Sequence, residues 1–285
     1  MEVTENKQEW ESEIKSEDSI FSVDVKEVWL YRDLLWMLVK RDYVTFYKQT
    51  ILGPIWFFVQ PMLTTIIYVI LFGQIAKLST DGAPQIVFYL AGITIWNYFS
   101  ESLTKTSTVF KDNANVLGKV YFPRLIMPLS IVVSGLMKFG IQFGLFVAAV
   151  LYYAFVEKSI HPNFWVLATP FLVLLMASFS LGLGMIFSSL TTKYKDLVFL
   201  LTFGIQLFMY ATPVVYSINS IPLKYQWLVK ANPLTGIFEC FRYAYLGSGS
   251  FEPKDLLMSS GIILVLLFIG VIIFNKVEKS FMDTV

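Results

Sequence analysis

Residues able to do chemistry are few in this chain. The one histidine, His161, precedes Pro162 and reads as a loop or interfacial residue rather than a general base. Neither H-E-x-x-H nor the phosphate-cradling G-x-x-x-x-G-K-[ST] occurs, and Gly118-Lys119 lacks both the upstream glycine and a following Ser or Thr. The chain itself therefore offers no recognisable means of binding ATP, and neither a cofactor nor a metal is expected in it. Its single cysteine, Cys240, excludes an internal disulfide and a cysteine-based metal cluster. What remains are three groups: a carboxylate and an amine in apolar surroundings, Glu101 and Lys138; a basic set, Arg32, Lys40, Arg41 and Lys48; and 48 aromatic side chains.

These groups must be positioned by elements of an unusual kind. From Gln49 to Ala76 the sequence carries no charge, and comparable stretches recur at 82–100, 125–156, 159–192, 197–223 and 256–275, the third broken by Lys138. A bilayer core about 30 Å thick needs about 20 apolar helical residues, and a charge at its centre costs about 2.5–3.5 kcal/mol on insertion scales. With 56% hydrophobic and 15% charged residues, the sequence predicts an all-α polytopic membrane protein. Six transmembrane helices are expected, over about 51–76, 84–105, 127–156, 164–190, 196–219 and 256–276. Gly135, Gly140 and Gly144 in the third and Pro213 in the fifth are candidate bends. Six spans place both termini on one side. Twelve Lys and Arg residues flank the spans on that side against six on the other, which puts both termini in the cytoplasm.

Outside the spans, residues 1–24 carry eight acidic and two basic side chains and are expected to be a solvated, disordered cytoplasmic tail. Residues 25–47 show helical amphipathicity. Lys26, Asp33 and Lys40 share one face, and Val28, Tyr31, Leu35, Leu38, Val39 and Phe46 lie opposite. This fits a helix in the membrane surface anchored by Trp29 and Trp36, or a helix packed on another part of the protein. Asp42 is the exception, since it falls on the apolar face. Residues 112–124 form a cytoplasmic segment punctuated by Asn113, Asn115 and Pro123. It is either a connecting loop or the site of a short helix. Residues 223–247, broken at Asn232-Pro233, suit two short outer helices rather than another crossing. Such pieces enter the membrane only where protein or a water-filled cavity covers their backbone.

Few intramembrane carboxylates are available for ion-driven transport. At 1.5 Å per residue, Glu101 and Lys138 sit about 22 and about 27 Å below the outer surface. That similarity permits a pair, although separate snorkelling to the cytoplasm is equally open. The aromatic residues divide between lipid-facing belts and faces suited to stacking on sugar rings. Trp56, Phe57, Phe58, Tyr89, Trp96, Tyr98, Phe99 and Tyr210 are the candidates for lining a glycan path.

The order of segments carries a resemblance. YKQTILGPIWFFVQPMLTTIIYVILFG is followed by YLAGITIWNYFSESL, NANVLGKVYFPRLIMPLS, LTTKYKDLVFL, LFMYATPVVYS and ANPLTGIFECFRYAYLG. From about Val25 onward this resembles the membrane subunit of bacterial ABC-2 polysaccharide exporters, the Wzm type. The resemblance implies a multi-pass permease of the inner (cytoplasmic) membrane, assembled as a homodimer with two copies of a Wzt-like nucleotide-binding subunit that binds ATP and Mg. It implies a substrate, O-antigen polysaccharide on undecaprenyl diphosphate; capsule or teichoic-acid glycans are the alternative within the superfamily. An ion-coupled transporter or channel is the rival from another class. Membrane lipids are expected as partners and nucleic acid is not. The resemblance makes 112–124 the coupling helix on the ATPase, with Asn113, Asn115, Val116, Leu117, Lys119, Tyr121, Phe122 and Arg124 as its contact residues. It makes 223–247 the gate helices over the exit. The lipid diphosphate would then be admitted near Arg32, Lys40, Arg41 and Lys48.

Overall fold

The computed structural model describes residues 25–48, 53–113 and 122–282. The acidic segment 1–24 and most of the expected coupling helix lie outside the described residues. Among the described residues there is no strand. In chain order the helices are α1 (Val25–Leu30), α2 (Arg32–Lys48), α3 (Trp56–Tyr68), α4 (Gln85–Ser107), α5 (Val109–Asp112), α6 (Ile126–Leu151), α7 (Thr169–Lys193), α8 (Leu197–Ala211), α9 (Leu223–Lys230), α10 (Thr235–Leu246) and α11 (Pro253–Met282). α3 and α6 each end in a π-helical turn, Val69–Ile75 and Tyr152–Val156.

Four helical stretches are long and apolar enough to cross a bilayer: Trp56–Ile75, Ile126–Val156, Phe164–Lys193 and Pro253–Val277. α4 and α8 fall short of that measure for different reasons. α4 is long but polar, carrying Thr94, Asn97, Ser100, Glu101, Ser102, Thr104 and Lys105. It can be polar because it is enclosed. Val87, Tyr89, Ala91 and Phe99 on all its faces are fully buried, and α3, α6, α7 and α10 pack around it. α8 is apolar but short. Expected to run to residue 219, it stops at Ala211, because Pro213 disfavours helical geometry at the residue before it and Thr212 is extended (φ −106°, ψ 142°). The three glycines named as candidate bends in the third stretch do not interrupt its helix. Ile126–Leu151 is one continuous helix through Gly135, Gly140 and Gly144. Gly135 serves contact instead, since a β-carbon there would sit 3.1 Å from both Ser102 Oγ and the Tyr98 ring.

Two cores hold the bundle. The larger surrounds α4 and is rich in rings, including Phe99 stacked on Phe179 at 5.2 Å and Phe146 against Phe241 at 5.1 Å. The smaller lies at the end of the bundle where α2 and α5 meet α6. There Leu38 of α2 meets Val109 and Phe110 of α5, Phe122, Ile126, Met185 and Phe274. The interface helix thus docks one apolar stripe on protein, while Trp29, Leu30, Trp36 and Met37 remain exposed. Both sequence readings of this helix describe one of its faces. Trp29 and Trp36 are the face suited to lipid, and Leu38 and Val39 the face buried in the bundle.

In lipid, helix association depends on close packing and small residues rather than on hydrophobic transfer. α7 and α11 meet in this way at Gly182 and Gly270. A β-carbon on Gly270 would collide with the Gly182 carbonyl oxygen, and one on Gly182 would lie 2.8 Å from Leu267 Cα. Gly270→Ala is expected to lower stability by about 1–3 kcal/mol through overpacking. Gly140→Ala, where nothing lies within 4 Å, is expected to be neutral or slightly stabilising, by up to about 1 kcal/mol. Thermal unfolding of the solubilised protein checks both.

Candidate functional site

The polar face of α4 is matched by α6, and the match follows an antiparallel register. Asn97 Nδ2 donates to Gln142 Oε1 at 3.3 Å, and one turn along α4 the Lys138 ammonium donates to Glu101 Oε2 at 2.6 Å. Residues four apart on one helix thus meet residues four apart on the other, as the 3.6-residue repeat requires of antiparallel neighbours. Lys105, one further turn along α4, reaches the other Glu101 oxygen at 2.9 Å. Phe57 of α3 covers the cluster, its ring centroid 5.7 Å from Lys138 Nζ. Glu101 and Lys138 are the partly buried members of this cluster, and Lys105 is its more exposed one. The structure brings Glu101 and Lys138 into contact, where depth counting left both a pair and separate snorkelling open.

A groove of about 560 Å³ opens beside this cluster, between α3, α4 and α8. Its wall combines the rings of Tyr68, Trp96 and Tyr210 with Ser100, Gln206 and the Glu101–Lys105 pair. Broad aromatic faces with hydrogen-bonding groups between them suit a polar, ring-shaped solute such as a sugar. A second cavity of about 70 Å³ lies behind the cluster, where Asp42 and Tyr43 of the interface helix face Phe57, Ser134, Lys105 and Lys138.

The aromatic candidates separate once placed. Tyr210 is exposed on the groove wall, and Trp96, although packed in the core against Phe99 and Phe208, borders it. Trp56 and Phe58 are exposed on α3, and Phe57 is buried against Lys138. Tyr89, Tyr98 and Phe99 do not line an open path. They are buried in the bundle core, with the Tyr98 hydroxyl donating to the Val132 carbonyl at 3.2 Å. Their helix is surrounded on all sides, so an aromatic on α4 faces the groove only on the narrow strip toward α8. Sequence reasoning missed Tyr68 and Gln206. Gln206 had a signal, lying four residues from Thr202 and four from Tyr210 on one face of an otherwise apolar helix.

The basic set lies along α2. Arg32 sits over the Trp29 ring at 5.7 Å and 4.0 Å from Asp33, and Arg41 binds Asp42 at 2.8 Å. Lys40 and Lys48 are exposed. Of the expected coupling residues, Asn113, Phe122 and Arg124 are described. Asn113 Nδ2 donates to the Val109 carbonyl at 3.0 Å, and Phe122 and Arg124 are buried at the inner end of the bundle. Asn115, Val116, Leu117, Lys119 and Tyr121 lie outside the described residues.

The opposite end of the bundle is tied by polar contacts, several of them to backbone. Arg242 of α10 is buried over the Phe88 ring at 3.8 Å and donates to the Val214 and Tyr216 carbonyls that follow α8. Gly92 of α4 leaves room for this loop, since a β-carbon there would strike the Val214 carbonyl. Asp81 accepts from Ser217 Oγ and from Asn219 Nδ2 at 3.1 Å. α9 contains no buried residue, and Leu223 is 84% exposed. It is held through Gln226, which donates to the Ile221 carbonyl at 3.0 Å, and through Lys230 between Glu252 and Asp255 at 3.1 Å each. Burial alone would depress the Lys230 ammonium, but its hydrogen bonds to those carboxylates raise its pKa above the usual lysine value. His161 is exposed in a loop whose backbone N–H reaches the Leu246 carbonyl at 3.5 Å. No group of metal ligands occurs among the described residues.

Comparison with known proteins adds an independent line. The model of the family described as "ABC-2 type transporter" matches residues 33–246. An O-antigen export system permease protein, RfbA, of Klebsiella pneumoniae is 30% identical over 252 residues, which cover 88% of this chain and 94% of the relative. A protein of the same name from Myxococcus xanthus is 26% identical, covering 92% of this chain and 98% of the relative. A capsule polysaccharide export inner-membrane protein, CtrC, of Neisseria meningitidis is 23% identical over 82% of this chain and 88% of its own length.

The Glu101–Lys138 contact is testable by a double-mutant cycle. Glu101→Gln and Lys138→Gln are each expected to destabilise the protein, and the double variant to lose less than the two losses combined. The coupling energy is about 1–3 kcal/mol for residues in one ion pair. Additive losses in thermal unfolding would show that the two groups act separately.

Proposed function

Because this chain belongs to the ABC-2 type transporter family, we propose that it is the membrane permease subunit of a bacterial exporter that moves undecaprenyl-diphosphate-linked O-antigen polysaccharide across the inner membrane. The observation that carries the reading is similarity to O-antigen export permeases along nearly the whole length of both chains. The groove supports it, with Trp96, Tyr68 and Tyr210 set between polar groups as a sugar path requires. The capsule-exporting relative favours a second reading within the same class, in which the cargo is a capsule glycan.

In this reading six spans cross the membrane, α4 and α8 included, with both termini in the cytoplasm. Two copies of the chain enclose the path, and two copies of a nucleotide-binding subunit supply the ATP hydrolysis that this sequence has no motif to perform. Residues 112–124 seat on that subunit, and Phe122, buried against α2 and α6, carries its displacement into the bundle. The lipid diphosphate is admitted beside α2, where Lys40 and Lys48 are open to an anionic headgroup. The glycan then advances along the groove and leaves beneath α9 and α10. ATP drives the path open only so far as the nucleotide-bound partner favours the open arrangement over the closed one.

A Walker-motif ATPase in a neighbouring reading frame is expected to co-purify with this chain. Deleting the permease gene is expected to leave lipid-linked glycan on the cytoplasmic side of the membrane. Co-purification without any retained glycan would exclude glycan export and point to another cargo. Repetition with the operon's own glycan identified by composition separates O antigen from capsule.

A further inference from the structure

The contact between α4 and α6 leaves two polar atoms over. Ser102 Oγ of α4 and Gln142 Nε2 of α6 make no hydrogen bond among the described residues, although Ser102 is 2% and Gln142 1% exposed. Gln142 engages Asn97 only through its carbonyl oxygen, at 3.3 Å. A buried donor or acceptor without a partner carries the whole cost of its lost hydration, and lipid offers no substitute.

Both side chains border one small space. A cavity of about 10 Å³ lies between the two helices, walled by Asn97, Glu101, Ser102, Lys138 and Gln142 together with the Tyr98 and Phe139 rings. A single water molecule needs about 10–15 Å³ of such room. Gly135 borders the same space, and a β-carbon there would sit 3.1 Å from Ser102 Oγ. A second cavity, also of about 10 Å³, shares the Tyr98 and Phe139 rings but is otherwise lined by Ile95, Leu172, Val173, Met176 and Phe241. The two are equal in size and differ in chemistry. Polar walls hold water in a space of this kind, and apolar walls leave it dry.

We propose that the space between α4 and α6 is a water-binding site, in which one ordered water accepts from Gln142 Nε2, shares a hydrogen bond with Ser102 Oγ and donates to the Glu101 carboxylate. Glu101 has acceptor capacity for it. Each of its oxygens meets one ammonium group, Lys105 at 2.9 Å and Lys138 at 2.6 Å, and a carboxylate offers about four lone-pair sites. Glu101, Gly135 and Lys138 also border the cavity of about 70 Å³ that Asp42 and Tyr43 face, so the small site adjoins a larger polar space. The water joins the Asn97–Gln142 contact to the Glu101–Lys138 pair. Two separate contacts between α4 and α6 thereby become one network, whatever cargo the protein moves.

Radiolytic footprinting of the full-length protein in lipid nanodiscs tests the site. An X-ray pulse makes hydroxyl radicals from water where it resides, the radicals hydroxylate rings beside it, and mass spectrometry reads the added oxygen. Phe139 borders the polar cavity, and Phe241, the same residue type, borders only the apolar one of the two. Phe139 is expected to be labelled about threefold or more above Phe241. Gln142→Leu, which removes the donor, and Gly135→Ala, which sets a methyl group against Ser102, should each bring Phe139 down to the level of Phe241. Thermal unfolding gives a second reading with a sign. Ser102→Ala takes a partner from a bound water and should lower the unfolding temperature by about 2–4 °C. In a dry cavity the same change removes an orphaned hydroxyl and leaves stability unchanged or raised. Equal labelling of Phe139 and Phe241 in the wild type, labelling of Phe139 that persists in both variants, or a Ser102→Ala protein at least as stable as wild type would overturn the inference.

Discussion

A membrane interior supplies no water to polar groups, so each must find its partner within the protein. That constraint shapes the bundle around α4. The helix carries Asn97, Glu101 and Lys105 in a region where α3, α6, α7 and α11 are apolar enough to face lipid. α6 meets part of that need, presenting Gln142 and Lys138 in matching register to Asn97 and Glu101. Close approach of the helices is part of the same solution. Gly135 lets Tyr98 and Ser102 of α4 lie against α6, and Gly182 and Gly270 bring α7 and α11 together at the backbone. A partner placed an ångström further away would leave a charged group stranded, at a cost of several kcal/mol.

The outer end obeys the same rule with different groups. The chain cannot remain helical after Ala211, so the carbonyls of Val214 and Tyr216 have no helical partners. Arg242 supplies them, its flat guanidinium donating to both while its face rests on Phe88. One arginine thereby joins α4, the segment after α8 and α10. The helix next to it, α9, is held through Gln226, Lys230 and the Thr235 hydroxyl on the Val229 carbonyl, and leaves Leu223 and Trp227 exposed.

Much of this architecture was legible in the sequence because hydrophobic length and charge position follow directly from the bilayer. The absence of charge over 49–76 marked the first apolar stretch, and counting residues inward brought Glu101 and Lys138 to similar depths. Facing was not legible. Tyr89, Tyr98, Phe99 and Trp96 all lie in the core within eleven residues of one helix, and of the four Trp96 alone also borders the groove. Composition cannot distinguish them, because the difference is set by where α8 lies. The end of α8 was in principle readable from Pro213, which was taken as a bend within a span. Asp42 looked like an error in an amphipathic pattern, because the cavity that accepts it is made by helices distant in sequence.

The central claim is that the groove between α3, α4 and α8 is the path of the glycan. Single cysteines at Gln206 and Tyr210, introduced with Cys240 replaced by Ser, test it in the assembled, exporting complex. A membrane-impermeant, charged thiol reagent should modify both, lipid-linked glycan held in the path should protect them, and modification should stop export. Phe199, 79% exposed on α8 but away from the groove lining, is the control and should show no protection by glycan. Groove cysteines that are inaccessible in every state, or that react fully without affecting export, would contradict the account.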